Sequence, residues 1–201
     1  LGGPETGAAF TELQFDHLLY TGGGKVARHV MESAAKNLVP VTLELGGKSP
    51  VIIGESADAK TTAKRVMFGK TLNSGQICLA PDYVMVHKSK KDEFVNSVKE
   101  VVNEYYPSIK DNKDYTSIIN QNHYDRIQGL IADAKEKGAT VETINPANED
   151  FTQQEFYKIP PTLIFNVDDS MDVMKEEIFG PVLPIKEYES LDETISYVNS
   201  N

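Results

Sequence analysis

An α/β fold with a largely parallel sheet is what this sequence predicts. Two observations carry the prediction. Short apolar runs rich in Val, Ile and Tyr alternate with longer stretches of helical periodicity, which is the pattern of βα units. The composition, 40% hydrophobic and 25% charged, is that of an ordinary globular chain. No internal repeat or low-complexity segment interrupts the alternation, and 201 residues accommodate one large domain or parts of two.

Phe15 to Tyr20 (FDHLLY) reads as a buried strand, followed at once by Thr21-Gly22-Gly23-Gly24 and a helical pattern from Lys25 to Asn37. A strand, a glycine turn and a helix N-terminus together form a natural anion site, because backbone N–H groups point outward there. The G-x-G-x-x-G fingerprint is absent, and no acidic ribose-binding residue can be placed. Val41 to Leu45 reads as a short buried strand carrying Glu44 near its C-terminal end, where ligands gather in open α/β sheets. Pro50 to Ile53 is a second apolar run.

Ala57 to Leu72 is expected to be helical, with Ser56 as N-cap, Asp58 in the first turn, and Ala59, Ala63, Val66 and Met67 on one face. It runs into Asn73-Ser74-Gly75-Gln76, a turn that delivers Cys78. Asp82 to His87 is a strand, and Ser89 to Tyr105 an amphipathic helix with Phe94, Val98, Val101 and Tyr105 on its stripe. A polar connection to Asn120 precedes a helix from Gln121 to Lys137 with Tyr124, Ile127, Ile131 and Ala134 inward, stopped by Gly138. Thr140 to Ile144, Thr162 to Val167 and Val182 to Tyr188 read as strands, and Asn145 to Tyr157 as a surface loop. Ser190-x-x-Glu193 is a capping box opening a last helix with Leu191, Ile195 and Val198 on one face.

The net charge of −10 argues against nucleic acid or an anionic membrane as partner. No apolar run approaches the roughly 20 residues needed to span a bilayer, and the opening LGGPETGAAF lacks the regions of a secretory signal. A single cysteine forms no internal disulfide, so a reducing intracellular compartment is the expectation. His17, His29, His87 and His123 show no metal-ligand spacing and read as structural or solvent-facing, so no metal is expected. The Lys88, Lys90 and Lys91 cluster reads as a solvated helix start.

The chemistry-bearing candidates are Cys78 and Glu44, a lone thiol and a carboxylate, both in Gly-rich sequence. That pairing suits covalent catalysis with a water-activating base. Taken alone, an isolated cysteine is more often a small buried apolar residue, and Glu44 could equally be a strand-end glutamate paired with Lys48. The motif text reverses those odds. ELGGKSP (44–50), NSGQIC (73–78) and EEIFGPV (176–182), in that order, resemble the aldehyde dehydrogenase superfamily, and the APDYV after Cys78 resembles its class 3, fatty-aldehyde branch.

The resemblance covers essentially the whole chain and implies the central part of a longer enzyme. The end of a Rossmann-like NAD(P)-binding domain (1–46) would join an α/β thiol-bearing catalytic domain (47–201). It implies oxidation of an aldehyde, long-chain or aromatic, to a carboxylic acid with NAD or NADP. A thiolate adds to the carbonyl, and the resulting thiohemiacetal gives up hydride to leave a thioester, which water hydrolyses. By resemblance Cys78 is the nucleophile, with its own N–H as one oxyanion donor, and Glu44 is the general base, its basicity raised by burial. Gly22 and Gly23 would face the dinucleotide phosphates, and backbone groups of Leu45 and Gly46 the nicotinamide amide. Glu177 would take the ribose hydroxyls, and Phe179 would lie at the nicotinamide side. The family's second oxyanion donor lies upstream of this chain, so the chain alone is expected to be weakly active or inactive. A homodimer is expected for the parent, and any membrane anchor would fall in its C-terminal region.

The glycine turn departs from the family pattern: Gly23 stands where Ser is usual, Ala27 where Gly is frequent, and Lys25 replaces a smaller residue. Two other readings use the same residues. One is a cysteine-dependent hydrolase or acyltransferase without a dinucleotide, which needs a histidine beside Cys78. The other is a non-catalytic truncated relative.

Overall fold

The computed structural model describes residues 2–200. The chain divides into two compact units between Gly47 and Lys48.

The first unit holds α1 (Pro4–Thr11), β1 (Leu18–Thr21), α2 (Gly24–Ala35) and β2 (Val41–Glu44). β1 and β2 pair in parallel, Leu18 opposite Val41 and Thr21 opposite Glu44. A small core of Leu18, Val30, Ala34 and Val39 lies between helix and sheet, with Phe15, Tyr20 and Val41 packed against it. Both strands are shorter and less covered than the sequence suggests. Phe15 to His17 lie outside β1, Leu19 is exposed, and β2 ends at Glu44 with alternate residues open to solvent. A two-stranded sheet has one helical layer here, so only one face finds apolar cover.

The second unit is built on a five-stranded sheet of order β3-β4-β7-β6-β5: β3 (Pro50–Ile53), β4 (Tyr83–His87), β5 (Thr140–Thr143), β6 (Thr162–Phe165) and β7 (Val182–Tyr188). All pairings are parallel except β5 with β6, which run antiparallel. Side-chain alternation sorts two cores. Val84, Val86, Leu163, Phe165, Leu183 and Ile185 face α3 (Ala59–Thr71) and α4 (Lys91–Tyr105). Tyr83, Met85, Ile164 and Val182 face the other way, with α5 (Gln121–Glu136), α6 (Asp172–Lys175) and α7 (Leu191–Ser200). Each fully buried aliphatic side chain contributes roughly 1.5–3 kcal/mol relative to exposure. The long stripes Phe94-Val98-Val101 and Ile127-Leu130-Ala134 therefore hold these helices far more firmly than propensity does.

The structure differs from the local sequence signals at three helices. Asp58, not Ser56, caps α3, its carboxylate accepting from the Thr61 N–H at 2.8 Å. The helix after β4 begins at Lys91, after a 3₁₀ turn over Lys88–Lys90, and the lysines there are paired rather than merely solvated: Lys88 with Glu189, Lys90 with Glu93 and Lys91 with Glu187. In α7 the buried face is Thr194 with Tyr197 and Val198, whereas Leu191 and Ile195 are exposed. The box itself is offset. Glu193 N–H donates to Ser190 Oγ at 3.3 Å, but the Glu193 carboxylate accepts from Glu189 rather than from Ser190. Gly138 stops α5 at φ +96°, a conformation an L side chain rarely adopts.

Candidate active site

In the second unit two loops meet, and they carry two of the three motifs. α3 ends at Thr71, and the chain turns through Leu72–Gly75 with Asn73, Ser74 and Gly75 all left-handed, at φ 51°, 52° and 72°. Gly75 has no room for a side chain: a Cβ there would lie 2.5 Å from the carbonyl oxygen of Gly180. The glycine of NSGQIC thus abuts the glycine of EEIFGP backbone to backbone. Cys78 follows in a turn closed by Ala80 N–H to the Ile77 carbonyl at 3.0 Å. Its side chain is exposed, so the buried, inert cysteine is not what the structure contains. Its backbone N–H has no hydrogen-bond partner among the described residues.

The facing loop, 176–181, is held from below. The Ile178 N–H donates to buried Asp82 at 2.9 Å, and the other Asp82 carboxylate oxygen accepts from Lys48. Lys48 also reaches the carbonyls of Val173 (2.9 Å) and Glu176 (3.0 Å). Lys48 is therefore a brace for this loop, and its acidic partner is Asp82 rather than Glu44. Arg126 on α5 donates to the carbonyls of Glu177 at 3.2 Å and Ile178 at 2.5 Å. Burial holds the Arg126 pKa below its ordinary value, against the attraction of Glu176 and Glu177. Glu177 is half-buried, and Phe179, also half-buried, sits at φ +48°.

Sequence reasoning missed Asp82, Arg126 and Lys70. Lys70, in the last turn of α3, is 1% exposed and its Nζ has no hydrogen-bond partner among the described residues. Burial pulls it down to about 8, with the Asp82 charge opposing that shift. A signal for it existed: 59, 63, 66, 67 and 70 fall on one helical stripe.

In the first unit the glycine turn and Glu44 are tied together, the Gly22 N–H donating to the Glu44 carbonyl at 3.0 Å. Gly23 is the N-cap of α2 and makes no side-chain cap bond, while Gly23 and Gly24 have open space where a Cβ would be. First-turn N–H groups left without a side-chain acceptor, beside two glycines, fit an anionic phosphate. Leu45 and Gly46 are exposed, and so is Glu44. The burial expected for Glu44 is absent, because it alternates with half-buried Leu43 onto the uncovered side of β2.

Elsewhere in the second unit, a cavity of about 560 Å³ is lined by Lys48, Tyr83, Met174, Lys175 and Tyr197 among others; neither Cys78 nor Glu177 contributes to it. Among the described residues there is no group of three or more His, Cys, Asp or Glu placed to hold a metal ion. The histidines have local partners where they have any: His17 bonds Thr42, His29 approaches Glu32 and His87 bonds Ser89.

Residues 1–201 match the aldehyde dehydrogenase family along their whole length. A probable coniferyl aldehyde dehydrogenase of Caulobacter vibrioides is 59% identical over 201 residues, which are 100% of this chain and 41% of that protein. Among solved structures, AldH of Staphylococcus aureus in a substrate-bound state superposes with a TM-score of 0.88 at 38% identity, covering 99% of this chain and 42% of its own. Betaine aldehyde dehydrogenase of Staphylococcus aureus in complex with NAD+ gives 0.86 at 29% identity, covering 99% and 40%. The chain thus spans about two fifths of the length of the relatives it matches.

Proposed function

Because this chain belongs to the aldehyde dehydrogenase family, we propose that the protein containing it oxidises an aldehyde to a carboxylic acid with NAD or NADP, covalently through Cys78. The observation that carries this reading is the presentation of Cys78: an exposed thiol on a tight turn, with a backbone N–H beside it that has no partner among the described residues. A thiolate on that turn adds to the carbonyl carbon, and the Cys78 N–H is free to donate to the oxyanion that forms. A dinucleotide, when bound, would supply the acceptor for the hydride that leaves this carbon. The remaining thioester is cleaved by water, returning the thiol and releasing the acid.

Glu44 is assigned the removal of a proton from that water. Its carboxylate is open to solvent, which leaves its oxygens available as proton acceptors. Gly22 and Gly23 are assigned to the phosphates, Leu45 and Gly46 to the nicotinamide amide through their backbone groups, Glu177 to the ribose hydroxyls and Phe179 to the nicotinamide side. On this reading residues 1–46 complete the cofactor-binding domain and 47–201 supply most of the thiol-bearing domain. An aromatic aldehyde is the favoured substrate, since the relative at 59% identity is named for coniferyl aldehyde. A homodimer is part of the same reading, as is the placement of any membrane anchor C-terminal to residue 201. No described helix is long and apolar enough to cross a membrane.

The test is aldehyde-dependent reduction of NAD and of NADP by the full-length protein, beside Cys78→Ser. Turnover that the substitution abolishes is the expected result. Nucleotide-independent ester hydrolysis that still needs Cys78, with no aldehyde oxidation, would overturn the reading in favour of a thiol hydrolase. For Glu44→Gln the expectation is an intact first burst of reduced nucleotide with slow later turnover; undiminished steady turnover removes Glu44 from the base role.

A further inference from the structure

The left-handed turn before Cys78 is an unusual thing to build from Asn and Ser. Three consecutive residues at φ 51°, 52° and 72° lie in the left-handed region, which glycine adopts freely, asparagine less readily and serine rarely, and just one of the three is glycine. Such a turn persists only when its surroundings over-determine it. The side chain of Gln76 supplies much of that determination. Its Nε2 donates to the carbonyls of Asn73 and Ser117, both at 3.0 Å, and its Oε1 accepts from the Ile119 N–H at 2.9 Å. Two carbonyls on one side and one N–H on the other leave a single orientation for the carboxamide. Asn73 answers by donating its Nδ2 to the Gln76 carbonyl at 3.1 Å, and the Ser74 hydroxyl bonds the Thr116 carbonyl.

The other end of this clamp is firm. Ile118 is 1% exposed, and its N–H donates to the Tyr157 carbonyl at 2.9 Å. Asn120, just beyond, caps α5 by accepting from the His123 N–H at 3.0 Å. Cys78 makes no bond of its own among the described residues: its thiol is exposed and its N–H has no partner there. It is held by its neighbours, with the Gln76 clamp two residues before it and the Ala80 N–H to Ile77 carbonyl bond closing the turn around it.

We propose that Gln76 is a positioning residue, which aims Cys78 by locking the left-handed turn 73–75 to the segment 116–119. The proposal rests on Cys78 being the nucleophile. It separates two properties of the thiol: its chemical reactivity, which an exposed cysteine keeps whether or not the turn is locked, and its aim at a bound carbonyl, which it does not.

The experiment uses the full-length protein and two variants, Gln76→Ala and Gln76→Glu. The second is near-isosteric and keeps the acceptor for Ile119, but sets a carboxylate oxygen against the carbonyls of Asn73 and Ser117. Three quantities are read: the burst rate with saturating aldehyde and nucleotide, the KM for nucleotide, and the rate of Cys78 alkylation by iodoacetamide without substrate. Both variants should lose about 10- to 100-fold in burst rate, the scale expected for a displacement near 1 Å. Nucleotide KM and alkylation rate should stay within about 3-fold of the parent, well short of that loss. The ratio of Gln76→Glu to parent burst rate should also climb as pH falls from 8 to 5.5, since a protonated carboxyl regains one donor toward the facing carbonyls. Burst rates equal to the parent's overturn the proposal, and so does a parallel loss of burst and alkylation, which would make Gln76 part of the thiol's reactivity. A parent with no burst that Cys78→Ser removes is a failure of the nucleophile assignment instead.

Discussion

The two glycine-containing turns of this chain are built in opposite ways. The turn at 73–80 is determined from afar. Its left-handed backbone is supported by side-chain bonds to residues 116–119, and its glycine touches the backbone of Gly180. The turn at 21–24 is determined locally. Gly23 and Gly24 have nothing within 4 Å of a Cβ position, and one backbone bond from Gly22 to Glu44 joins the turn to its neighbour strand. On the roles proposed for them, a turn that aims a covalent nucleophile would tolerate little error, whereas a turn that offers N–H groups to an anion would need only open space and a helix behind it. Gly75 therefore marks a close approach of two backbones, whereas Gly23 and Gly24 mark open access; Gly22, where a Cβ would run into the Tyr20 hydroxyl, is tight only against its own strand.

The largest effect that tests this contrast is a methyl group. Gly75→Ala forces a side chain into a left-handed residue and against the Gly180 carbonyl, where neither backbone can yield cheaply. A loss of at least about 3 kcal/mol is expected, with loss of aldehyde oxidation. Gly23→Ala places the same methyl in open space at φ −74° and should cost no more than about 1 kcal/mol, from the poorer N-cap. Urea denaturation of the two variants measures both. Equal, small losses would show that the backbone at Gly75 moves aside, and the contrast between the turns would collapse.

The next effect runs the other way in sign. Lys70, one turn before Asn73, is held buried without a hydrogen-bond partner among the described residues, and burial pulls its pKa from 10.5 down to about 8. The folded state therefore resists the charged form. The penalty is present in full below pH 8, is relieved as pH rises from about 8 to 10.5, and is gone above that. Its size at pH 7 is on the order of 3 kcal/mol. Lys70→Met should accordingly stabilise the second unit at pH 7 by up to that amount, as replacing a buried charge by an apolar group of similar shape often does. The parent's stability should gain from pH 8 to 10 in a way the variant's does not. Melting curves across that range decide it, and a variant less stable than the parent at pH 7 would mean that Lys70 has a partner in solution. A smaller loss, about 1 kcal/mol, is expected for Asp58→Ala, which removes the cap that starts the same helix.

What could be read in advance follows the same division between local and distant causes. β4, α4, α5 and β7 were legible because two-residue and 3.6-residue periodicities act within a single element. Ser56 and Asp58 are both good N-caps two residues apart, and propensity does not choose between them; the backbone turn at Ala57 does. The buried face of α7 departs from the hydrophobic pattern because partners, not hydrophobicity alone, decide which side turns inward. Thr194 and Tyr197 turn inward with their hydroxyls bonded to the Ser190 carbonyl and to Asp169, which leaves Leu191 and Ile195 outside. The antiparallel pairing of β5 had no local signature. In the candidate site the motif residues were legible one by one. Asp82, Arg126 and the clamp on Gln76 were not, because each acts on residues some 40 or more positions away.

The smallest effect belongs to the locally determined turn, and it is the one that bears most directly on the cofactor. Gly23 caps α2 without a side-chain bond, and although the Val26 N–H donates to the Gly23 carbonyl at 3.1 Å, the N–H groups of Gly24 and Lys25 have no acceptor among the described residues. Gly23→Ser adds a hydroxyl in open space at extended dihedrals, φ −74° and ψ 145°, that suit a serine N-cap. On stability alone the gain should be a few tenths of a kcal/mol, near the limit of a melting experiment. On binding, the two roles of the turn make different demands. If the free N–H groups are what holds a phosphate, a serine that caps them competes with the ligand, and dinucleotide affinity falls slightly as stability rises. If a hydroxyl at this position is itself a ligand donor, affinity and stability rise together. Because the role argued for this turn rests on its open first-turn N–H groups, the first result is expected, a weakening of up to about 5-fold, equivalent to about 1 kcal/mol. Calorimetric titration of NAD and NADP into parent and variant measures it, and tighter binding by the variant would instead assign a hydroxyl at this position a direct bond to the ligand.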